Sequence, residues 1–82
     1  MSAAFKFYKR RFRNALQPLF VMLIHRKTEM EAWEWRKYVS QVMGRVKEKP
    51  NEFLGPDVPP PSLLSDIVDD IFTEFIKIKG RA

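Results

Sequence analysis

Six prolines decide how this 82-residue chain can be laid out. A proline inside a helix removes a backbone donor and clashes with the carbonyl four residues back, so a helix ends or bends there. Pro18 comes early, Pro50 comes past the middle, and Pro56, Pro59, Pro60 and Pro61 crowd one short stretch. The prolines, together with a helix-start signal at Thr28, leave four segments, residues 1–27, 28–49, 50–61 and 62–80. Apolar residues recur at helical spacing in all but the third. We therefore expect an all-α chain in a single small domain. It should have three main helices, the first broken or kinked near Pro18, with a proline-rich linker before the C-terminal amphipathic helix.

In the first segment, Phe5, Tyr8, Phe12, Ala15, Leu16 and Leu19 share one helical face. Lys6, Lys9, Arg10, Arg11 and Arg13 cover the rest, and Phe7 stands among them. Pro18 ends or kinks this helix near Leu16 and is tolerated in the first turn of a second short helix. In the second segment, Thr28 followed by Glu31 has the spacing of a capping box. A helix from about Glu29 to about Glu48 is expected, with Ala32, Trp35, Val39, Val42 and Val46 inward and Trp33 roughly opposite. Residues 50–61 read as a spacer of extended polyproline character, held to a surface by Phe53, Leu54 and Val58. The last segment carries the broadest stripe: Leu63, Leu64, Ile67, Val68, Ile71, Phe72, Phe75 and Ile76. Ser62 is the expected N-cap, and Lys77, Lys79 and Gly80 mark the C-terminal end.

Composition narrows the function. At 45% hydrophobic and 13% aromatic residues the chain is too apolar to stay disordered. It has no cysteine, so no disulfide supports it. A body this small must draw stability from helix packing or from a partner. The longest apolar run, Leu19–Ile24, has six residues. A membrane-spanning helix needs about 20, and no small-residue cleavage site follows the run, so neither a transmembrane segment nor a secretory signal is expected. The net charge of +5 is unevenly spread: residues 1–28 carry seven Lys/Arg and no acid, and the remainder carries eight Lys/Arg against ten Asp/Glu. Such asymmetry points to an acidic protein, an anionic membrane or nucleic acid at the N-terminal third.

Catalytic chemistry has little to build on. His25 is the single histidine, and the three glycines are isolated, so no phosphate-cradling loop exists. No metal-ligand spacing occurs. Asp66, Asp69, Asp70 and Glu74 lack the alternating ligand loop of a calcium site and form the polar face of the last helix. That face could pair with the basic first helix. Pro56 and Pro59 form a P-x-x-P without a flanking basic residue, which fits a spacer better than a ligand. We expect no enzymatic activity, catalytic residue, cofactor, metal or small-molecule substrate.

The stretch Phe7-Tyr8-Lys9 superficially resembles the Leu-Tyr-Arg motif of small mitochondrial assembly factors. Phe7 stands where that motif has Leu, Lys9 stands where it has Arg, and Pro18 arrives too soon for the helix that follows. No function is carried over from that family.

What remains is a docking role. The basic, aromatic first helix has the pattern of a surface-binding helix. The chain also holds more large apolar side chains than a tidy three-helix core hides. We expect a small accessory or assembly subunit of a larger protein complex, with Phe5, Tyr8, Lys9, Arg10, Arg11, Phe12 and Arg13 making the contact and Trp33 as a second anchor. Peripheral contact with an anionic membrane is compatible with this. An RNA-associated, ribosomal-type subunit is the alternative. The Arg-rich, acid-free N-terminus has the look of an uncleaved mitochondrial import signal, which favours an inner-membrane or matrix-side location over the cytoplasm.

Overall fold

A computed structural model describes residues 2–80, and every regular element in it is a helix. The order is α1 (Ala3–Ala15), α2 (Gln17–Lys27), α3 (Ala32–Glu48), α4 (Pro50–Leu54) and α5 (Pro61–Lys79). α1 starts at Ser2, whose hydroxyl accepts a hydrogen bond from the Phe5 amide at 3.1 Å, as an N-cap side chain does. The break before α2 is a single residue, Leu16. Pro18 sits in the first turn of α2, where its missing N–H costs no helical bond. The two helices keep a common inner face through Phe12, Leu16, Phe20 and Leu23.

Three local expectations are corrected. Thr28 does not cap α3. It closes α2, its hydroxyl donating to the His25 carbonyl at 2.8 Å. The capping box of α3 lies three residues later, between Glu31 and Glu34, with the Glu31 amide donating to Glu34 Oε1 at 3.2 Å. A carboxylate accepts from a backbone N–H as well as a hydroxyl oxygen does, so the Glu–x–x–Glu pair performs the same exchange. Ser62 does not cap α5 either; Pro60 occupies that position and Pro61 opens the helix. The linker is likewise not extended throughout: Pro50–Leu54 coils into α4. Gly55 ends that turn at φ 90°, ψ −179°, a conformation open to glycine.

α5 is the central element. α3 and α1 pack along it, α2 packs on α3, and α4 closes the space between α1 and α3. Ile67, Val68 and Phe72 of α5 are fully enclosed, as are Val39 and Val46 of α3. Fifteen apolar side chains form the core, and among the described residues no polar or charged side chain is buried with them. Trp35 is the chief anchor of α3. Its indole Nε1–H donates to the Leu23 carbonyl at 2.7 Å, and its ring meets Phe75 at 5.8 Å between centroids. Gly80, at the end of α5, has an ordinary helical φ of −82°. A Cβ there would lie 2.4 Å from the Ile76 carbonyl oxygen and 3.4 Å from the Trp35 ring, so close approach is what favours glycine at this position. Among the described residues no helix is long and apolar enough to cross a membrane.

Candidate docking surface

α1 turns its basic residues in two directions. Lys9 and Arg13 point towards α5. Lys9 Nζ lies 2.7 Å from Asp70 Oδ2 and 2.7 Å from Glu74 Oε1, and Arg13 reaches Glu74 Oε2 at 2.8 Å. The Asp70 carboxylate first, and Glu74 second, raise the Lys9 ammonium above its ordinary pKa of 10.5 against the opposing effect of burial. Asp70 Oδ2 is itself buried, and the Lys9 ammonium at 2.7 Å is the group that meets it, a charge-assisted contact out of ideal alignment. Arg11 turns the other way, onto the loop after α4. It pairs with the Asp57 carboxylate at 2.9 Å, bonds the Asp57 carbonyl, and covers the rings of Tyr8 and Phe12. The acidic face of α5 and the basic face of α1 thus meet inside one chain.

This arrangement sorts the residues expected at the contact. Phe12 is 0% exposed and belongs to the core, so it is withdrawn from the docking set. Phe5 and Tyr8 are half-buried against that core. Lys9 and Arg11 are held by carboxylates, and Arg13 shares Glu74 while staying half-exposed. Arg10 faces solvent, as does Lys6 one turn before it, and neither makes an ion pair among the described residues. Phe7 lies on this outer face and is 59% exposed. Trp33 is 67% exposed on the outer side of α3, beside Tyr38, Lys37 and Gln41.

A second surface was not foreseen from the sequence. Phe20 bridges α2 to α5, stacked on Phe75 at 4.3 Å and edge-on to Phe72 at 5.2 Å. Beside this bridge lies an open groove of about 370 Å³. Phe20, Phe75 and Ile71 line its floor, Ile24 and Ile78 line its sides, and Arg13 and Lys79 contribute the cations. Ile24 is 39% and Ile78 65% exposed, high values for isoleucines that line one groove. The sequence does carry faint signals of it. Ile78 stands seven residues after Ile71 and three after Phe75, which carries the α5 stripe past the part the core uses, and the uninterrupted run Leu19–Ile24 is too broad for one inner face.

No protein-family model, curated protein or solved structure matches the chain.

Proposed function

We propose that this chain is a non-enzymatic accessory subunit that binds other proteins within a larger assembly. The observation that carries the proposal is the set of large apolar side chains left in water once the core is filled: Phe7, Val21, Ile24, Trp33 and Ile78. Single exposed hydrophobes are ordinary on protein surfaces. Ile24 and Ile78 differ because they border one groove with an aromatic floor. Phe7 and Trp33 add aromatic anchors of the kind enriched at interfaces. The contact set therefore contains Arg10, Arg13 and Trp33 from the sequence reading, joined by Lys6, Phe7, Ile24 and Ile78. The acid-free residues 1–28 support a mitochondrial setting.

A second reading, peripheral contact with an anionic membrane, is favoured by the outward row Lys6, Phe7 and Arg10. Basic residues near such a surface contribute about 1 kcal/mol each. The RNA alternative draws on the same two cations, since α5 and Asp57 already engage Lys9 and Arg11.

The test is recovery of tagged chains from the native source. Two double variants are compared with the wild type, Phe7→Ala/Trp33→Ala and Ile24→Asp/Ile78→Asp, each first checked for helicity. A partner in fixed ratio to the wild-type chain, reduced in at least one variant, is the expected result. Equal recovery with both variants, or no partner in fixed ratio, would overturn the proposal.

A further inference from the structure

We infer that the α2–α5 groove receives an acidic amphipathic helix of a partner protein, a reading that rests on the accessory role above and specifies one of its contacts. The shape is that of a helix seat. Beside the aromatic bridge between α2 and α5 lies a trough whose buried lining is Phe20 and Phe75 and whose exposed lining is Ile24 and Ile78. From Ile71 to Ile78 the α5 side runs about 10 Å, two turns of a guest helix at 1.5 Å per residue. A guest with apolar residues at i, i+3 or i+4, and i+7 would bring its anchors into register with these side chains. The groove is open to solvent, so its occupant carries its own second face, as a helix does.

Charge selects the kind of helix. Lys79 lies on the rim and makes no ion pair among the described residues. Arg13 is half-exposed and shares the rim carboxylate Glu74 with Lys9. Arg10 and Lys6 continue the basic flank of α1 at spacings of three and four residues, both exposed and unpaired among the described residues. Glu74 is the one acidic side chain on the groove lining, and two cations already hold it. A carboxylate on the flank of the guest would thus meet Lys79 and Arg13. A second copy of this chain is disfavoured, because pairing its groove with itself brings these cations together on chains of net charge +5.

The test uses the full chain and two synthetic, fluorescein-labelled helical peptides. Both carry Leu at i, i+3, i+4 and i+7; one has flanking Glu residues and the other has Lys in their place. Fluorescence anisotropy at two salt concentrations gives affinities, and amide chemical-shift mapping gives the location. The Glu peptide should bind at least ten-fold tighter than the Lys peptide. Its shifts should centre on Phe20, Ile24, Phe75 and Ile78. Ile78→Asp should weaken it at least ten-fold, Trp33→Ala should leave it unchanged, and Lys79→Glu should narrow or invert the preference between the peptides. Equal binding of the two peptides, no binding, or shifts centred away from the groove would overturn the inference. So would a dimer in sedimentation analysis that Ile78→Asp dissolves, or uptake onto anionic phosphatidylserine vesicles that Ile24→Asp abolishes. If the peptides fail while the Phe7→Ala/Trp33→Ala variant still loses a native partner, the groove assignment falls and the accessory role stands.

Discussion

Replacing Lys9 by Met tests whether the basic first helix is held by its own chain. The Lys9 side chain is 17% exposed and sits 2.7 Å from carboxylate oxygens of both Asp70 and Glu74. Met keeps the apolar stem and a comparable helix propensity, so the change isolates the ammonium. Its loss strands Asp70 Oδ2, which is buried and has the Lys9 ammonium at 2.7 Å as its one close cation among the described residues. An unsatisfied buried polar group costs about 1–3 kcal/mol. The Asp70 and Glu74 side chains are 37% and 44% exposed, however, so solvent recovers part of the loss. We expect a destabilisation of about 1–2 kcal/mol, or a fall in Tm of about 5–15 °C for a domain of this size. Lys6→Met removes the same charge from the outer face and should stay within about 0.5 kcal/mol.

The pH dependence carries its own sign. The Lys9 pKa is raised above 10.5 in the folded chain, so its contribution is complete below 10.5 and fades as pH rises through the raised value. The gap between wild type and Lys9→Met, followed by urea unfolding at a series of alkaline pH values, should therefore close as the solution becomes more basic. Equal Tm values for Lys9→Met and Lys6→Met at pH 7 would refute the reasoning. So would a gap that widens with pH.

Other perturbations test the remaining parts of the fold. Phe12→Ala should cost about 3–5 kcal/mol, a large share of the whole stability of a small domain, and its thermal unfolding should lose cooperativity. Glu31→Ala should destabilise by about 1 kcal/mol through loss of the α3 cap, while Thr28→Ala should stay within about 0.5 kcal/mol; urea midpoints compared at equal slope decide between them. Gly55→Ala forces a side chain into φ 90°, ψ −179° and should cost about 1–3 kcal/mol, read from the same denaturation curves.

The helical architecture was legible because its signals are redundant. The α5 stripe from Leu63 to Ile76 and the α3 set Trp35, Val39, Val42 and Val46 state a helical period many times over, and both sets pack inward. Helix ends were less legible because a cap is one local choice among several adequate ones. Thr28 and Ser62 are good N-cap types in plausible places, yet Glu31 and Pro60 hold those positions. Spacing alone could not distinguish a hydroxyl cap from a carboxylate cap three residues later. The short α4 was masked by the prolines around it, although Pro50 suits a first helical position.

The candidate site was half legible. The density of aromatic and basic residues in Phe5–Arg13 marked α1, but density does not say which way each side chain turns. That depends on α5 lying beside it, which engages Lys9 and Arg13, and on the loop at Asp57, which engages Arg11. Phe7 broke the helical pattern and for that reason stayed outside when Phe12 went in. The groove that Ile24 and Ile78 line joins residues far apart in the chain on two different helices. No local period encodes such a separation.

The most direct test of the accessory role is the mass of the particle in which the chain travels. A gently prepared extract of the native source, resolved by size exclusion with light scattering, should place the wild-type chain in an assembly several times its own 9.7 kDa. The Ile24→Asp/Ile78→Asp variant should shift towards the free mass. A wild-type chain that elutes at 9.7 kDa, folded and unaccompanied, would contradict the account.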